Sequence, residues 1–310
     1  MATQETADTK YITAGNGVKF AYRVLGHHDK TSILPLFMHI HFRANMDFWD
    51  PLLVNNIAYH RPVVIFDQAG IGKSSGNVAT TYQGWADNVI YLIEALKFVK
   101  IDLFGFSMGG WNVQMVALTR PDLIRKLIIA GSGPSMLSHQ VPGIVWPRET
   151  APEEPIKMLA TARAESREEV EASITVSFFP PTNAGRLAAQ QYFARIRSRA
   201  APETAIFSLL DAEKSAEQRK AAQHWYNAAN TGNSFHRLGE LSMPVLIING
   251  DDDLLIPTGH SWELLKGIRN AQLIIYPQSG HGFLWQYAER VARDFNVFLD
   301  DDLDKVAARL

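Results

Sequence analysis

The sequence predicts an α/β fold with a mainly parallel sheet that is covered by helices on both faces. Short apolar runs alternate along the chain with segments in which apolar residues recur at helical spacing. This alternation is typical of right-handed βαβ crossovers. With 310 residues, 46% of them hydrophobic and 20% charged, the chain is long enough for one large core and has an ordinary globular composition.

Seven segments have the pattern of core strands. The first alternates polar and apolar residues, which is typical of a sheet edge, whereas the others contain short apolar runs suited to burial. In chain order these segments are 17–26, 32–40, 61–67, 99–106, 125–133, 243–250 and 271–277. Helical spacing of apolar residues predicts helices over 80–98, 111–120, around 261–268 and from 283 to about 299.

The periodicity changes between the fifth and sixth strand segments. Proline-rich and polar stretches there separate helical patterns such as 186–199 and 216–229, and no strand pattern of similar strength occurs. We interpret residues 134–242 as a helical cap inserted into the α/β core. The core then comprises residues 1–133 and 243–310, with an irregular extension of the core as the alternative interpretation.

The strand segment 99–106 leads into a serine flanked by glycines, Gly105 and Gly109. This GxSxG pattern is typical of a nucleophile elbow, in which small residues make room for a sharp turn from strand to helix. The following helix would end before Pro121, so Ser107 would lie at a helix N-terminus that favours developing negative charge. Ser107 is therefore the candidate nucleophile, and the alternative is a small residue that the turn requires.

A serine hydroxyl is a poor nucleophile until a base takes its proton. His281 is the best-placed base, because it follows the last strand and lies between Gly280 and Gly282, which would let the loop fold over the carboxyl ends of the strands. It would act first as a general base and then as a general acid. A histidine that caps the last helix is the alternative interpretation.

The third member of such a constellation is a carboxylate that orients the histidine. The sixth strand segment is followed by three adjacent aspartates, Asp251, Asp252 and Asp253. We choose Asp253, the fourth residue of a GxxDxxxP pattern that starts at Gly250 and ends at Pro257. Asp251 and Asp252 stay open as alternatives, and the unused aspartates would form the turn.

The order Ser, Asp, His, with each residue just after a strand, is similar to that of the α/β-hydrolase superfamily. The segment 105–110 resembles the branch of cofactor-free haloperoxidases, perhydrolases and small-molecule esterases. Two further segments resemble that branch: 66–76 matches its DxxGxGxS turn, and 41–51 matches its loop that carries the oxyanion hole. The resemblance covers almost the whole chain. It implies a mostly eight-stranded sheet, and we expect no cofactor.

The same resemblance implies two backbone donors for the oxyanion. These are the N–H groups of Met108, directly after the nucleophile, and of Phe42 in the early loop. The chain departs from the family at the pair before Phe42, where Ile40 and His41 replace the usual His-Gly. A side chain in place of glycine would narrow the hole or bring an imidazole into the pocket.

These residues predict a serine hydrolase that acts on a small apolar ester or lactone through an acyl-enzyme on Ser107. Hydrolysis of a C–C bond beside a ketone uses the same residues in this superfamily and is the first alternative. The second alternative is a non-enzyme, a small-molecule receptor that keeps the hydrolase fold without turnover. Substrate identity depends on the cap and loops, which residue spacing does not supply.

Composition disfavours several other partners. A formal net charge of −2 gives no electrostatic basis for binding nucleic acid or an anionic membrane. The polar start of the chain and the absence of an apolar run of about 20 residues predict a cytoplasmic protein. The chain has no cysteine, and the histidine pairs at 27–28 and 39/41 lack further ligands at metal spacing, so we expect no metal. The expected partner is a small-molecule substrate, with homodimerisation left open.

Overall fold

The computed structural model describes residues 1–26, 33–136, 153–200 and 207–301. Eight strands form one sheet in the order β1-β2-β4-β3-β5-β6-β7-β8. The strands are β1 (Lys10–Thr13), β2 (Lys19–Leu25), β3 (Leu36–His39), β4 (Val63–Phe66), β5 (Ile101–Phe106), β6 (Ile124–Ala130), β7 (Val245–Gly250) and β8 (Ala271–Tyr276). The pairings from β4 to β8 are parallel, and β2 pairs antiparallel with both β1 and β4. The predicted fold class is confirmed.

The prediction that the first strand segment forms a sheet edge is wrong. That segment is β2, and β1 pairs outside it, with Lys10 opposite Tyr22 and Thr13 opposite Lys19. Three of the four residues in β1 are exposed. The strand therefore lacks the apolar pattern by which the buried strands are recognised.

Helices cover both faces of the sheet. Outside the region between β6 and β7 they are α1 (Pro51–Ala58), α2 (Tyr82–Ala95), α3 (Met108–Thr119), α8 (Gly259–Gly267), α9 (Phe283–Gln286) and α10 (Ala288–Asp300). Apolar residues of α1 and α10 pack in one core cluster, and those of α2, α3 and α8 pack in a second. Alternate strand residues contribute to the two clusters, as Met38 and Phe37 do in β3. The predicted last helix is two helices, because the chain breaks at Tyr287.

Within the described residues, four α-helices lie between β6 and β7: α4 (Glu153–Thr161), α5 (Arg167–Phe178), α6 (Asn183–Ile196) and α7 (Ala212–Trp225). We call these four helices the cap. The helical patterns at 186–199 and 216–229 correspond to α6 and α7. The division into a 134–242 insertion and a two-part core stays a prediction.

The described helices were also compared with the length and hydropathy that a membrane span requires. None of those in the described parts of the chain is both long enough and apolar enough to cross a bilayer.

Candidate active site

Ser107 lies at a sharp turn between β5 and α3, as the GxSxG pattern predicts. Its backbone has φ 60° and ψ −121°, a conformation that side-chain-bearing residues rarely adopt. The flanking glycines are required by close approach: a Cβ at Gly105 would lie 2.2 Å from the carbonyl oxygen of Gly109, and one at Gly109 would lie 2.3 Å from that of His39. The elbow therefore depends on both glycines, and Ser107 sits at the N-terminus of α3.

Asp253 and His281 form a buried pair beyond β7 and β8. His281 Nδ1 lies 2.7 Å from Asp253 Oδ2, and both side chains are fully buried. Because an ionised carboxylate only accepts hydrogen bonds, Nδ1 carries the proton and Nε2 keeps its lone pair. The pair has the orientation that a general base requires.

The turn after β7 distinguishes Asp253 from its neighbour Asp251. The second oxygen of Asp253 accepts hydrogen bonds from the amides of Leu255 and Ile256, each at 2.9 Å. The carboxylate of Asp251 instead accepts from the amides of Gln278 and Ser279 at 2.8 and 3.0 Å. Asp251 therefore joins the two loops that carry Asp253 and His281, which is the turn-forming role expected of an unused aspartate.

The ring of His281 lies beside the elbow but forms no hydrogen bond with Ser107. It packs on Phe106 with ring centroids 4.8 Å apart, and a Cβ at Gly131 would come within 3.3 Å of it. Gly131 follows Ala130, whose carbonyl accepts the Ser107 amide at 2.9 Å. His281 Nε2 is buried and has no partner within the described residues. Catalytic hydrogen bonds are often long in unliganded enzymes and tighten when substrate binds.

Ser107 opens onto a cavity of about 210 Å³. Most of its lining is apolar, and two polar side chains of α7, Gln218 and Arg219, contribute to the wall. The other lining residues are Phe42, Met108, Trp111, Leu159, Ala160, Ala222, Leu255 and Ile256. The cavity lies between the elbow, the loop after β3 and the cap helices α4 and α7.

The two predicted oxyanion donors lie at this cavity. Phe42 and Met108 both line it together with Ser107. Among the described residues, neither backbone N–H group donates a hydrogen bond to another protein atom. Met108 is the first residue of α3, whose N–H has no partner inside the helix. Both amides are thus available to a developing negative charge.

The structure resolves where the unusual His41 side chain goes. Its ring is buried among Phe106, Phe178 and Trp285, at centroid distances of 5.7, 4.9 and 5.5 Å, and it does not line the cavity. Its Nδ1 lies 3.0 Å from the carbonyl oxygen of Phe42. Burial, helped by the nearby His281, lowers the pKa of His41 to about 3. The ring is therefore neutral near pH 7. Because it packs away from the cavity, it does not narrow the oxyanion hole.

Two polar residues at this site were missed by the sequence analysis. Arg43 follows Phe42, is 2% exposed and has a left-handed backbone with φ 63°. Its amide donates to Gln218 Oε1 at 3.0 Å, across 175 residues of sequence. A left-handed arginine and a glutamine on a mostly polar helix have no sequence signature, so only the tertiary structure shows this contact.

A serine at a strained elbow, a carboxylate-oriented imidazole and two free amides can together carry out acyl transfer. The fold and this site define an α/β protein of the hydrolase class. The chain belongs to the alpha/beta hydrolase family, whose model matches residues 38–294.

Curated relatives include named hydrolases. The chain is 30% identical over 239 residues to the 2-hydroxy-6-oxo-6-phenylhexa-2,4-dienoate hydrolase of Comamonas testosteroni, covering 75% of this chain and 76% of that protein. It is 27% identical over 278 residues to the poly(3-hydroxyalkanoate) depolymerase of Ectopseudomonas oleovorans, covering 88% and 87%.

A solved structure of an alpha/beta hydrolase fold protein from Chitinophaga pinensis is similar over almost the whole chain. Its TM-score is 0.82 at 28% identity, covering 97% of this chain and 100% of that one. The predicted superfamily is confirmed by these comparisons. The narrower resemblance to the haloperoxidase branch stays a prediction.

Proposed function

We propose that this protein is a serine hydrolase that cleaves a small, largely apolar ester or lactone through an acyl-enzyme on Ser107. The observation that carries this proposal is the Asp253–His281 pair, 2.7 Å between Oδ2 and Nδ1, beside a strained serine that opens onto an apolar cavity. Family membership supports the hydrolase class.

In the proposed reaction, His281 Nε2 takes the proton of the Ser107 hydroxyl as Oγ attacks the acyl carbon. The carbonyl electrons move onto oxygen, where the amides of Met108 and Phe42 stabilise the charge. The ester C–O bond then breaks, and the leaving alcohol receives the proton from His281. A water molecule, deprotonated by the same nitrogen, attacks the acyl-enzyme and releases the acid.

The size and lining of the cavity support a small acyl group. A volume of about 210 Å³ is below the range of about 300–1,000 Å³ that drug-sized ligands occupy. Side chains such as Trp111, Leu159 and Ile256 offer contact to hydrocarbon and few hydrogen bonds. We therefore expect short acyl esters and small lactones to be hydrolysed faster than long-chain esters.

A second candidate is hydrolysis of a carbon–carbon bond beside a ketone. One relative is named for a 6-oxo-dienoate, a substrate that carries both a ketone and a carboxylate. Gln218 and Arg219 on the cavity wall could bind such a carboxylate. Attack of Ser107 on the ketone carbon would again give an acyl-enzyme, but the leaving group would be a carbon that must be protonated.

The enzyme proposal is tested by labelling the folded protein with a fluorophosphonate. We expect one covalent adduct, on the peptide that contains Ser107, because the reagent requires an activated serine. Ser132, buried one strand away, should stay unmodified and serves as an internal control. No adduct on Ser107 would contradict the proposal and would favour the receptor alternative.

The two reactions are distinguished by a substrate panel. We expect kcat/KM for p-nitrophenyl acetate and butyrate to exceed that for the decanoate, and small lactones to be opened. A 6-oxo-dienoate tested in parallel should be cleaved slowly by comparison. The opposite order, with fast dienoate cleavage and weak esterase activity, would replace the ester proposal by the carbon–carbon one.

A further inference from the structure

A buried arginine, Arg43, joins the loop that carries Phe42 to the cap. The guanidinium of Arg43 donates three hydrogen bonds, all to backbone carbonyl oxygens of the cap region. The acceptors are Leu210 at 2.8 Å, Leu159 at 2.9 Å and Ala162 at 3.0 Å. A planar guanidinium is suited to such a divergent set of acceptors, which lysine could not satisfy together.

The acceptors lie in or directly beside α4 and α7, the two cap helices that line the cavity. Leu159 lies in the last turn of α4 and Ala162 follows that helix, so the cation meets its negative end. Leu210 precedes the N-cap of α7, Asp211. Because Leu159 also lines the cavity, the arginine fixes the same part of the cap that would contact substrate.

The backbone of Arg43 is held by the same region. Its amide donates to Gln218 Oε1 at 3.0 Å, and its carbonyl accepts from the amide of Leu210 at 2.8 Å. These contacts hold a left-handed backbone with φ 63°, which L-residues adopt only when surrounding structure imposes it. The peptide directly before this residue is the one that bears Phe42.

We propose that Arg43 is a positioning residue through which the cap aims the Phe42 amide at the oxyanion. The position of the cap and the orientation of the Phe42 amide then change together. Without the arginine contacts, the loop would relax from its left-handed conformation and turn the Phe42 amide away. This inference rests on the proposed acyl-transfer function, in which Phe42 stabilises the transition state.

The test replaces Arg43 by methionine, which keeps an unbranched apolar stem but removes the guanidinium and all its donors. We expect kcat/KM for p-nitrophenyl butyrate to fall by about 30-fold, part of the about 10²–10³ that loss of a whole donor causes. The affinity for butylboronic acid, which forms a tetrahedral adduct on serine, should fall by the same factor. KM and inhibition by butyrate should change little, and Arg43→Lys should recover part of the loss.

A second cap–core contact provides the matched control. Arg195 of α6 binds the buried Asp50 with Nε and Nη2 at 2.8 and 2.6 Å from its oxygens, and among the described residues neither side chain forms a hydrogen bond with residues 41–45. Arg195→Met should lower the thermal midpoint, as Arg43→Met does, but leave boronate affinity unchanged. Equal loss of boronate affinity in both variants would contradict the proposal and would mean that Arg43 only stabilises the cap.

Hydrogen exchange at residues 41–45 gives a readout that does not require activity. We expect faster exchange there in Arg43→Met and unchanged exchange in Arg195→Met. Unchanged exchange in both variants would overturn the inference even if the wild-type enzyme is active. If the wild-type protein shows neither labelling nor turnover while the loop still loosens in Arg43→Met, the proposed function fails and the coupling of loop and cap stands.

Discussion

Replacing Ser107 by alanine is expected to lower kcat for a p-nitrophenyl ester about a million-fold, to the residual level set by binding and the oxyanion donors. The expectation follows from the proposed mechanism, in which no other hydroxyl can form the acyl-enzyme. The measurement is steady-state hydrolysis by protein purified to exclude contaminating esterases. Turnover within a hundredfold of wild type would contradict an acyl-enzyme on Ser107.

The same substitution should leave stability almost unchanged, since the Ser107 side chain has no hydrogen-bond partner among the described residues. Alanine keeps the unfavourable backbone with φ 60° and ψ −121°. Ser107→Gly should be equally inactive but more stable, because strain of about 1–3 kcal/mol is relieved. The gain is reduced by about 0.4–1 kcal/mol of added unfolded-state entropy. Thermal midpoints of the two variants measure this difference.

Ser132→Ala is the control for a buried serine hydroxyl beside the elbow. Its Oγ donates to the carbonyl oxygen of Ser107 at 3.0 Å, so the variant removes a neighbouring hydrogen bond and keeps the nucleophile. One such bond contributes about 1 kcal/mol, and kcat should stay within about tenfold of wild type. A large loss here would mean that the elbow geometry, as well as the nucleophile, limits the rate.

The local sequence was sufficient to predict the elbow and most of the sheet. Parallel strands that are buried on both faces contain runs of apolar residues, as β5, β6 and β7 do. The elbow was predictable because its backbone cannot form unless Gly105 and Gly109 lack a Cβ. β1 was missed because its mostly exposed residues carry no such burial signal.

Some site residues could likewise be predicted from the sequence, and others could not. The spacing from Gly250 to Pro257 indicated Asp253 among three aspartates, and the structure brings Asp253 to His281. The contacts of Arg43 could not be predicted, because they join residues 116 to 175 positions apart and because three of them use backbone carbonyl oxygens, which every residue has. Hydrogen bonds to the main chain leave no pattern in the sequence of the acceptor.

Burial also lowers the pKa values of histidines, which residue types alone do not indicate. Among the described residues, three buried histidines have pKa values far below the ordinary value of 6.5: about 3 for His39, about 3 for His41 and about 4 for His260. Desolvation is the largest cause in each case. For His41 the nearby His281 lowers the pKa further, and for His260 the charges of Asp253 and Glu263 oppose part of the shift.

The sign of the resulting pH dependence is fixed by linkage. Above about pH 6.5 these rings are neutral in both the folded and the unfolded chain. As the pH falls below that value, the unfolded chain binds protons that the folded protein excludes, so the free energy of unfolding decreases. At about pH 5 each histidine should account for a loss of about 2 kcal/mol.

Buried carboxyls oppose this loss. Burial raises the pKa of Asp67 to about 6, and the folded protein therefore takes up its proton on acidification before the unfolded chain does. This proton uptake offsets the loss in the free energy of unfolding by about 1 kcal/mol between about pH 7.5 and about pH 5. Burial also raises the pKa of Asp50 and of Asp102, which acts in the same direction. We expect a net loss of a few kcal/mol in the free energy of unfolding by urea over this range.

A histidine variant isolates one contribution from this sum. His39→Asn places an amide oxygen near the position of the ring Nδ1, which lies 3.0 Å from Asn112 Nδ2, and removes the titrating group. The variant should be less stable at about pH 7.5, where it loses ring packing on Phe66 and Trp85. Its decrease in unfolding free energy down to about pH 5 should be smaller than that of wild type by about 2 kcal/mol.

An exposed histidine provides the matched control for this measurement. His60 is exposed, so His60→Asn makes the same exchange of side chain without removing a buried ring. If His39→Asn and His60→Asn both keep the full wild-type pH dependence, His39 does not stay neutral in the folded protein. Acid sensitivity would then have to come from the other buried histidines or from charge repulsion across the whole molecule, and added salt would weaken only the repulsion. Loss from buried histidines should instead persist at high ionic strength, since desolvation is not screened by ions.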